Sequence, residues 1–404
     1  MMKCNAVYGQ SGGPTSVINA SMYGVIKQCL KSEEIEDLYL MHNGINGLIN
    51  DDLKKVSDIP LEQIELLPFT PSSIIGSIRH KLDNYEQCET EYLQILKTLK
   101  KYNIRYIFYN GGNDSMDTCH KLSLFLNKIN YDCKVIGIPK TIDNDLMLTD
   151  HTPGFASSAK YIINTIQAIH YDNETYPNGR VNIVEIMGRD TGWLCASASL
   201  ASISNAGPDL VYLPEVPFDI ENFLNDVKEI YNKQKRCLVV VSEGIKDREK
   251  NLIQKIDTFD EFNHFQLGGV CHYLSNLIEK NLHFPTRAIE LSLPQRCYSY
   301  SGSKIDVEEA IKCGQVAVKT AIKGISNIMI AIKRTNDDPY QCEYINVPLN
   351  KVANGIKRVP DIYINKKGNN INSTFISYCL PLIQGEITIP IKNGIYHFAE
   401  KKYF

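Results

Sequence analysis

The chain has 404 residues, 43% of them hydrophobic and 22% charged, which suits a folded globular enzyme with room for two or three lobes. Its formal net charge is −3, so no overall field draws it to nucleic acid or to an acidic membrane surface. No apolar run approaches a membrane span, the start MMKCNAVYGQSGG has no signal-like apolar core, and the 12 cysteines include no CxxC pair; together these predict reduced thiols, a cytoplasmic location and no structural zinc.

In chain order, CNAVYGQ predicts a strand, SGGPTS a loop and VINASMYGVIKQCLK a helix. DLYLMHNG repeats the strand-to-loop theme. After a charged helical stretch, IRYIFYNGGNDS reads as a strand ending in glycines, followed by the helix MDTCHKLSLFLNK. KVIGIPKTIDND is the next strand and loop. Buried strands alternating with helices predict an α/β fold built on doubly wound, mostly parallel sheets. A second α/β lobe is expected from near His151, with strands in RVNIVEIMGRDTGW, DLVYLPE and RCLVVVSEGI. HFQLGGVCHYLSNLIEK reads as helical, and TRAIELSLPQRC is expected to return the chain to the first lobe. The expected division is 1–150 for the N-terminal lobe, rejoined by about 297–334, then 151–296 for the second lobe. Residues 335–404 form a C-terminal extension with short strands (EYINVPL, GEITIPI) and no assignable chemistry.

Ligands of doubly wound sheets bind beyond the carboxyl ends of the strands, and GQSGGP, GGNDS and PKTIDND all stand at such ends. In GQSGGP, Gly12 and Gly13 allow close backbone approach ahead of a helix N-terminus, which favours a phosphate; taken alone, the pair reads as a tight turn. In GGNDS, the glycines are followed by Asn113, by Asp114, an acid suited to Mg²⁺, and by Ser115 as a possible helix cap. PKTIDND says most. Asp143 can take a proton from a sugar hydroxyl as its oxygen attacks phosphorus, Asp145 can support that geometry or a metal, and Lys140 can neutralise phosphate charge. An Asx-rich turn is the poorer reading of three such side chains at one strand end. Arg79, Arg180, Arg189, Arg287 and Arg296 each adjoin an apolar strand or turn and can fork onto phosphate, although each alone is more often a surface ion pair. Glu243 ends the strand RCLVVVSE and can accept from sugar hydroxyls or pair with an arginine.

These segments, with TPGFASSA, the arginine before NIVEIMGR, SEG and the TR…QR pair, resemble the phosphofructokinases in motif and in order, from about Gly12 to Arg296. The resemblance implies Mg²⁺-dependent phosphoryl transfer to the C1 hydroxyl of fructose 6-phosphate. It implies Asp143 as the base, with Lys140 and Arg189 also catalytic. Gly12, Gly13, Arg79, Asp114 and Lys140 would hold the donor. Thr141, Ile142, Asp143, Met187, Gly188, Arg189, Glu243 and Arg296 would hold the sugar phosphate, Arg296 gripping its 6-phosphate. Arg180 and Arg287 would reach a neighbouring subunit's site, implying a homodimer or homotetramer. Asn113, Asp114 and Asp145 would hold the metal.

The donor is read from two positions where ATP-using bacterial relatives carry glycine and this chain carries Asp114 and Lys140. A carboxylate at 114 crowds and repels the α-phosphate of ATP, at a cost on the order of a few kcal/mol if poorly screened. Lys140 offsets the charge of a terminal phosphate. The chain therefore resembles the diphosphate-dependent members. The rivals are an ATP-dependent phosphofructokinase, a kinase of the NAD or lipid class and a silent regulatory subunit. Three departures stand out: Asn113 replaces a family aspartate, Leu293 replaces a histidine or tyrosine, and Tyr23 replaces an effector-site arginine. The last predicts weak nucleotide control.

Overall fold

A computed structural model describes residues 3–254, 256–259, 265–266 and 268–404. In the first third of the chain, β1 Cys4–Gln10, β2 Ile35–Met41, β3 Leu53–Lys55, β4 Ile104–Gly111 and β5 Lys134–Pro139 alternate with helices. The middle supplies β6 Val181–Ile186, β7 Leu210–Tyr212 and β8 Cys237–Ser242. A small pair follows, β9 Ile256–Phe259 and β10 Phe265–Gln266, then β11 Thr286–Glu290, β12 Ile328–Asp337 and β13 Tyr340–Pro348.

Two sheets result. The first runs β13-β12-β5-β4-β1-β2-β3, with parallel pairing from β12 through β2 and antiparallel strands at both edges. The second runs β11-β6-β8-β7 and is parallel throughout. The fold is thus α/β with mostly parallel sheets, as the alternation of apolar runs and helices predicted.

Side-chain alternation decides which core each residue joins. Ala6, Tyr8, Phe108, Ile136 and Ile138 face the helices Ile18–Cys29 and Lys304–Ile322. Val7, Ile107, Tyr109 and Val135 face Glu89–Lys101 and Asn113–Lys128. The second sheet is covered the same way: Val184, Ile186 and Val240 meet Phe155–Glu174, while Ile183, Val239 and Val241 meet Ile220–Gln234 and Val270–Leu282. With both faces covered, these strands are predominantly apolar, each fully buried Ile or Val contributing about 1.5–3 kcal/mol.

Helices Ile18–Cys29 and Lys304–Ile322 cross at glycines. A Cβ on Gly24 would stand 2.0 Å from the Ile311 carbonyl oxygen, and one on Gly314 would stand 2.3 Å from that of Ser21. That contact holds residues 304–322 against the first sheet.

Several expectations need correction. Thr335 lies inside β12, and β12 and β13 extend the first sheet, so residues 335–348 are sheet, not extension. EYINVPL forms β13, but GEITIPI is irregular until Ile391. In HFQLGGVCHYLSNLIEK, His264 and Leu267 lie outside the described residues, Phe265–Gln266 is extended and the helix starts at Val270. The cysteines are all unpaired, most of them buried. Among the described residues no helix is long and apolar enough to cross a membrane.

Candidate active site

β1, β4 and β5 are neighbours, so their carboxyl ends deliver GQSGGP, GGNDS and PKTIDND to one place. Across from them, the ends of β6 and β8 deliver Met187, Arg189 and Glu243, and the turn after β11 delivers Arg296. The two lobes enclose a cleft of about 320 Å³ lined by Gly13, Arg79, Asp114, Lys140, Thr141, Ile142, Asp143, Asp145, Met187, Arg189, Glu243 and Arg296. A second cleft of about 400 Å³ shares the Lys140–Asp145 wall and adds Gly12 and Asn113.

The loop after β5 is held from several sides. Thr141 Oγ1 accepts the Asp143 N–H at 3.1 Å, and Thr191 Oγ1 donates to the Asp143 carbonyl at 3.1 Å. Asn144 takes a left-handed turn at φ 54° and its amide donates to the Tyr378 hydroxyl at 3.0 Å. The loop thereby presents Asp143 and Asp145 to the cleft and turns Asn144 inward.

Lys140 is buried beneath the cleft and donates to the Gly13 carbonyl at 2.7 Å. Burial pulls its pKa down to about 8, opposed by the attraction of Asp143 and Asp145. Burial raises Asp143, against the pull of Lys140 and with a push from Asp190. Burial also raises Asp145 to about 7, reinforced by Asp143. Glu243 is raised to about 7 by burial, opposed by the Gly188 N–H that it accepts at 3.1 Å. Burial brings Lys140 down and Asp145 and Glu243 up toward neutral pH, and raises Asp143 beside them, an arrangement that favours proton transfer.

Three local expectations change. Gly12 adopts φ +77°, but its N–H donates to Ile78 at 3.1 Å, and the next helix begins only at Ile18. The helix N-terminus that opens onto the cleft is instead that of Asn113–Lys128. Its cap position is Gly112, with no side-chain cap, so neither Asp114 nor Ser115 performs that role. Gly188 contributes its amide to Glu243 and does not line either cleft.

Arg180 and Arg287 are not brought to this cleft. Arg180 precedes β6 and Arg287 lies near the start of β11, paired with Asn182. Both sit at the amino edge of the second sheet, a β6 length or about 20 Å from Met187. Leu293 is exposed just before the Arg296 turn. Tyr23 donates to Glu65 at 2.8 Å, beside Lys27.

Sequence reasoning missed Asp190, which lines both clefts and pairs with Lys246 at 3.0 Å. It also missed Asn354, Gly355 and Ile356, which wall the second cleft from the C-terminal segment. Asn354 donates to Asp117 at 3.3 Å, 237 residues away in sequence; no local signal marks such a contact.

The oxygen donors here suit a hard divalent cation. Asn113 donates through Nδ2 to Asp145 at 2.9 Å, while its Oδ1 is buried without a hydrogen-bond partner. That orphaned amide oxygen and the carboxylates of Asp114 and Asp145, which line the same cleft, are oxygen donors of the kind that Mg²⁺ takes.

Comparison with known proteins identifies the family. The family model for phosphofructokinase matches residues 5–321. The pyrophosphate–fructose 6-phosphate 1-phosphotransferase of Halomonas elongata is 39% identical, over 98% of this chain and 95% of that protein. The enzyme of the same name from Methylococcus capsulatus is 38% identical, over 97% of this chain and 94% of that protein. The crystal structure of a pyrophosphate-dependent phosphofructokinase from Nitrosospira multiformis superposes with a TM-score of 0.89 at 35% identity, covering 98% of this chain and 96% of that one. The chain belongs to the phosphofructokinase family.

Proposed function

We propose that this protein transfers a phosphoryl group reversibly from inorganic diphosphate to the C1 hydroxyl of fructose 6-phosphate, giving fructose 1,6-bisphosphate and phosphate. The observation that supports the donor assignment is that Asp114 and Lys140 both line the two adjoining clefts. Asp114 excludes the α-phosphate of a nucleotide by charge and volume, and Lys140 meets the terminal phosphate of the shorter donor. Arg79, Gly13 and the helix N-terminus at Asn113 complete the donor side.

On the sugar side, Arg296 takes the 6-phosphate, Glu243 accepts from ring hydroxyls, and Thr141, Ile142, Met187 and Arg189 line the ring. Asp143 takes the C1 hydroxyl proton; its raised pKa makes it the stronger base. Lys140 and Arg189 stabilise charge on the transferring group. Asn113, Asp114 and Asp145 would hold Mg²⁺, which screens the phosphate oxygens during transfer. The presence of Asp143 speaks against a silent regulatory subunit. Arg180 and Arg287, far from their own cleft, support a homodimer or homotetramer with shared sites. The unpaired cysteines support a cytoplasmic location.

Reversibility gives a specific test. Supplied with fructose 1,6-bisphosphate, phosphate and Mg²⁺, the enzyme should produce diphosphate, visible as a new phosphorus-31 resonance. Fructose 6-phosphate formed without diphosphate, as plain hydrolysis gives, would refute the assignment.

A further inference from the structure

Lys357 lines neither cleft, yet it binds both lobes. Its N–H donates to the Asp145 carbonyl at 2.7 Å, and its own carbonyl accepts the Trp193 indole N–H at 2.8 Å. Asp145 belongs to the loop of the first lobe that carries the base. Trp193 follows directly on the turn that carries Met187 and Arg189 in the second. The Lys357 ammonium donates to the carbonyls of Asp150 at 2.8 Å and Thr149 at 3.1 Å, with Asn144 Oδ1 at 3.4 Å. It also lies 5.0 Å from the centre of the Trp193 ring. Two residues later, the Val359 N–H donates to Glu215 at 3.0 Å, and the same carboxylate accepts the Gly192 N–H. One short segment therefore ties the base loop to the sugar-site turn through hydrogen bonds on both sides.

We propose that Lys357 is a positioning residue for phosphoryl transfer: it clasps the Asp143–Asp145 loop to the Trp193 turn and fixes the base against the bound sugar. The backbone bonds alone join the two segments. The ammonium adds a charge-assisted donor beneath one oxygen of the loop, Asn144 Oδ1, and two of the chain that leaves it, the Thr149 and Asp150 carbonyls, which resists rotation of the loop about those bonds. The proposal rests on the reaction assigned above.

Lys357→Met keeps an unbranched stem out to the position of the lysine Cε and removes the donor. Displacement of a reacting group by an ångström lowers rates about 100-fold, so kcat should fall about 100-fold while both KM values stay within about twofold. Propylammonium should restore part of kcat in Lys357→Ala and none in Lys357→Met, because only the first leaves a vacant cation site. Wild-type kcat in Lys357→Met would overturn the clasp. So would a loss of kcat that tracks a lowered melting midpoint and shows no amine rescue. The chain contains a single tryptophan, so the emission of Trp193 reports the clasp without turnover. Lys357→Met should emit differently from wild type at an equal melting midpoint. If wild type itself does not turn over, the reaction assignment fails, and unchanged Trp193 emission in Lys357→Met would separately overturn the clasp.

Discussion

Replacing Lys140 by methionine removes one positive charge from the shared wall of the clefts and keeps the unbranched stem out to the position of the lysine Cε. The ammonium is buried in that wall, on the side proposed for the donor, and donates to the Gly13 carbonyl at 2.7 Å. Loss of one preorganised donor to developing negative charge lowers kcat by about 100- to 1,000-fold, or about 3–4 kcal/mol. The pH dependence sharpens the test. The active form is the ammonium, and its pKa in the folded protein is about 8. In wild type, kcat/KM for diphosphate should therefore fall as pH rises through about 8, approaching about tenfold per unit. Lys140→Met should lose that basic limb. Stability moves the other way. Below pH 8, holding the ammonium in a site that lowers its pKa from 10.5 to about 8 costs about 3 kcal/mol, and the cost is relieved as pH rises through that range. Removing the lysine leaves the Gly13 carbonyl without this donor, at about 1–3 kcal/mol. The ligand-free variant should thus be no less stable than wild type by urea unfolding at pH 7. Steady-state rates between pH 6 and pH 9.5 decide the matter. Activity of Lys140→Met within tenfold of wild type, or a basic limb near pH 8 that survives the substitution, would refute the reasoning.

Asp143→Asn should lower kcat by about 100- to 10,000-fold with KM for the sugar phosphate little changed; a loss confined to KM would remove Asp143 from proton transfer. Asp114→Gly should gain ATP-supported turnover and lose rate with diphosphate, and an unaltered donor ratio would contradict the charge-exclusion argument. Gly24→Ala places a methyl 2.0 Å from a backbone oxygen and should destabilise by about 1–3 kcal/mol in urea unfolding; a wild-type midpoint would mean the helices separate freely. If sites are shared, mixing inactive Arg287→Ala with inactive Asp143→Asn after joint refolding should recover activity, whereas additive inactivity would place Arg287 outside any neighbouring site.

The sequence was most informative where local rules dominate. β1, β4 and β5 are apolar runs closed by glycine or proline, so their ends could be located, and with them the loops that carry Gly13, Asp114 and Asp143. The helix starts were less legible. Gly12 stands before a strand-to-helix turn, but tertiary contact assigns its N–H to Ile78 and delays the helix to Ile18. The C-terminal third was least legible because its role is long-range. Tyr378 reaches Asn144 across 234 residues, and Asn354 reaches Asp117 across 237. Residues 335–348 carry ordinary strand patterns, yet only β12 pairing with β5 reveals that they complete the first sheet.

The central claim is that the donor is diphosphate, read by Asp114 and Lys140. It is tested most directly by initial rates of fructose 1,6-bisphosphate formation from fructose 6-phosphate and Mg²⁺, with diphosphate and ATP in parallel. Turnover with diphosphate and none above background with ATP is the expected result; turnover with ATP alone would contradict a diphosphate donor.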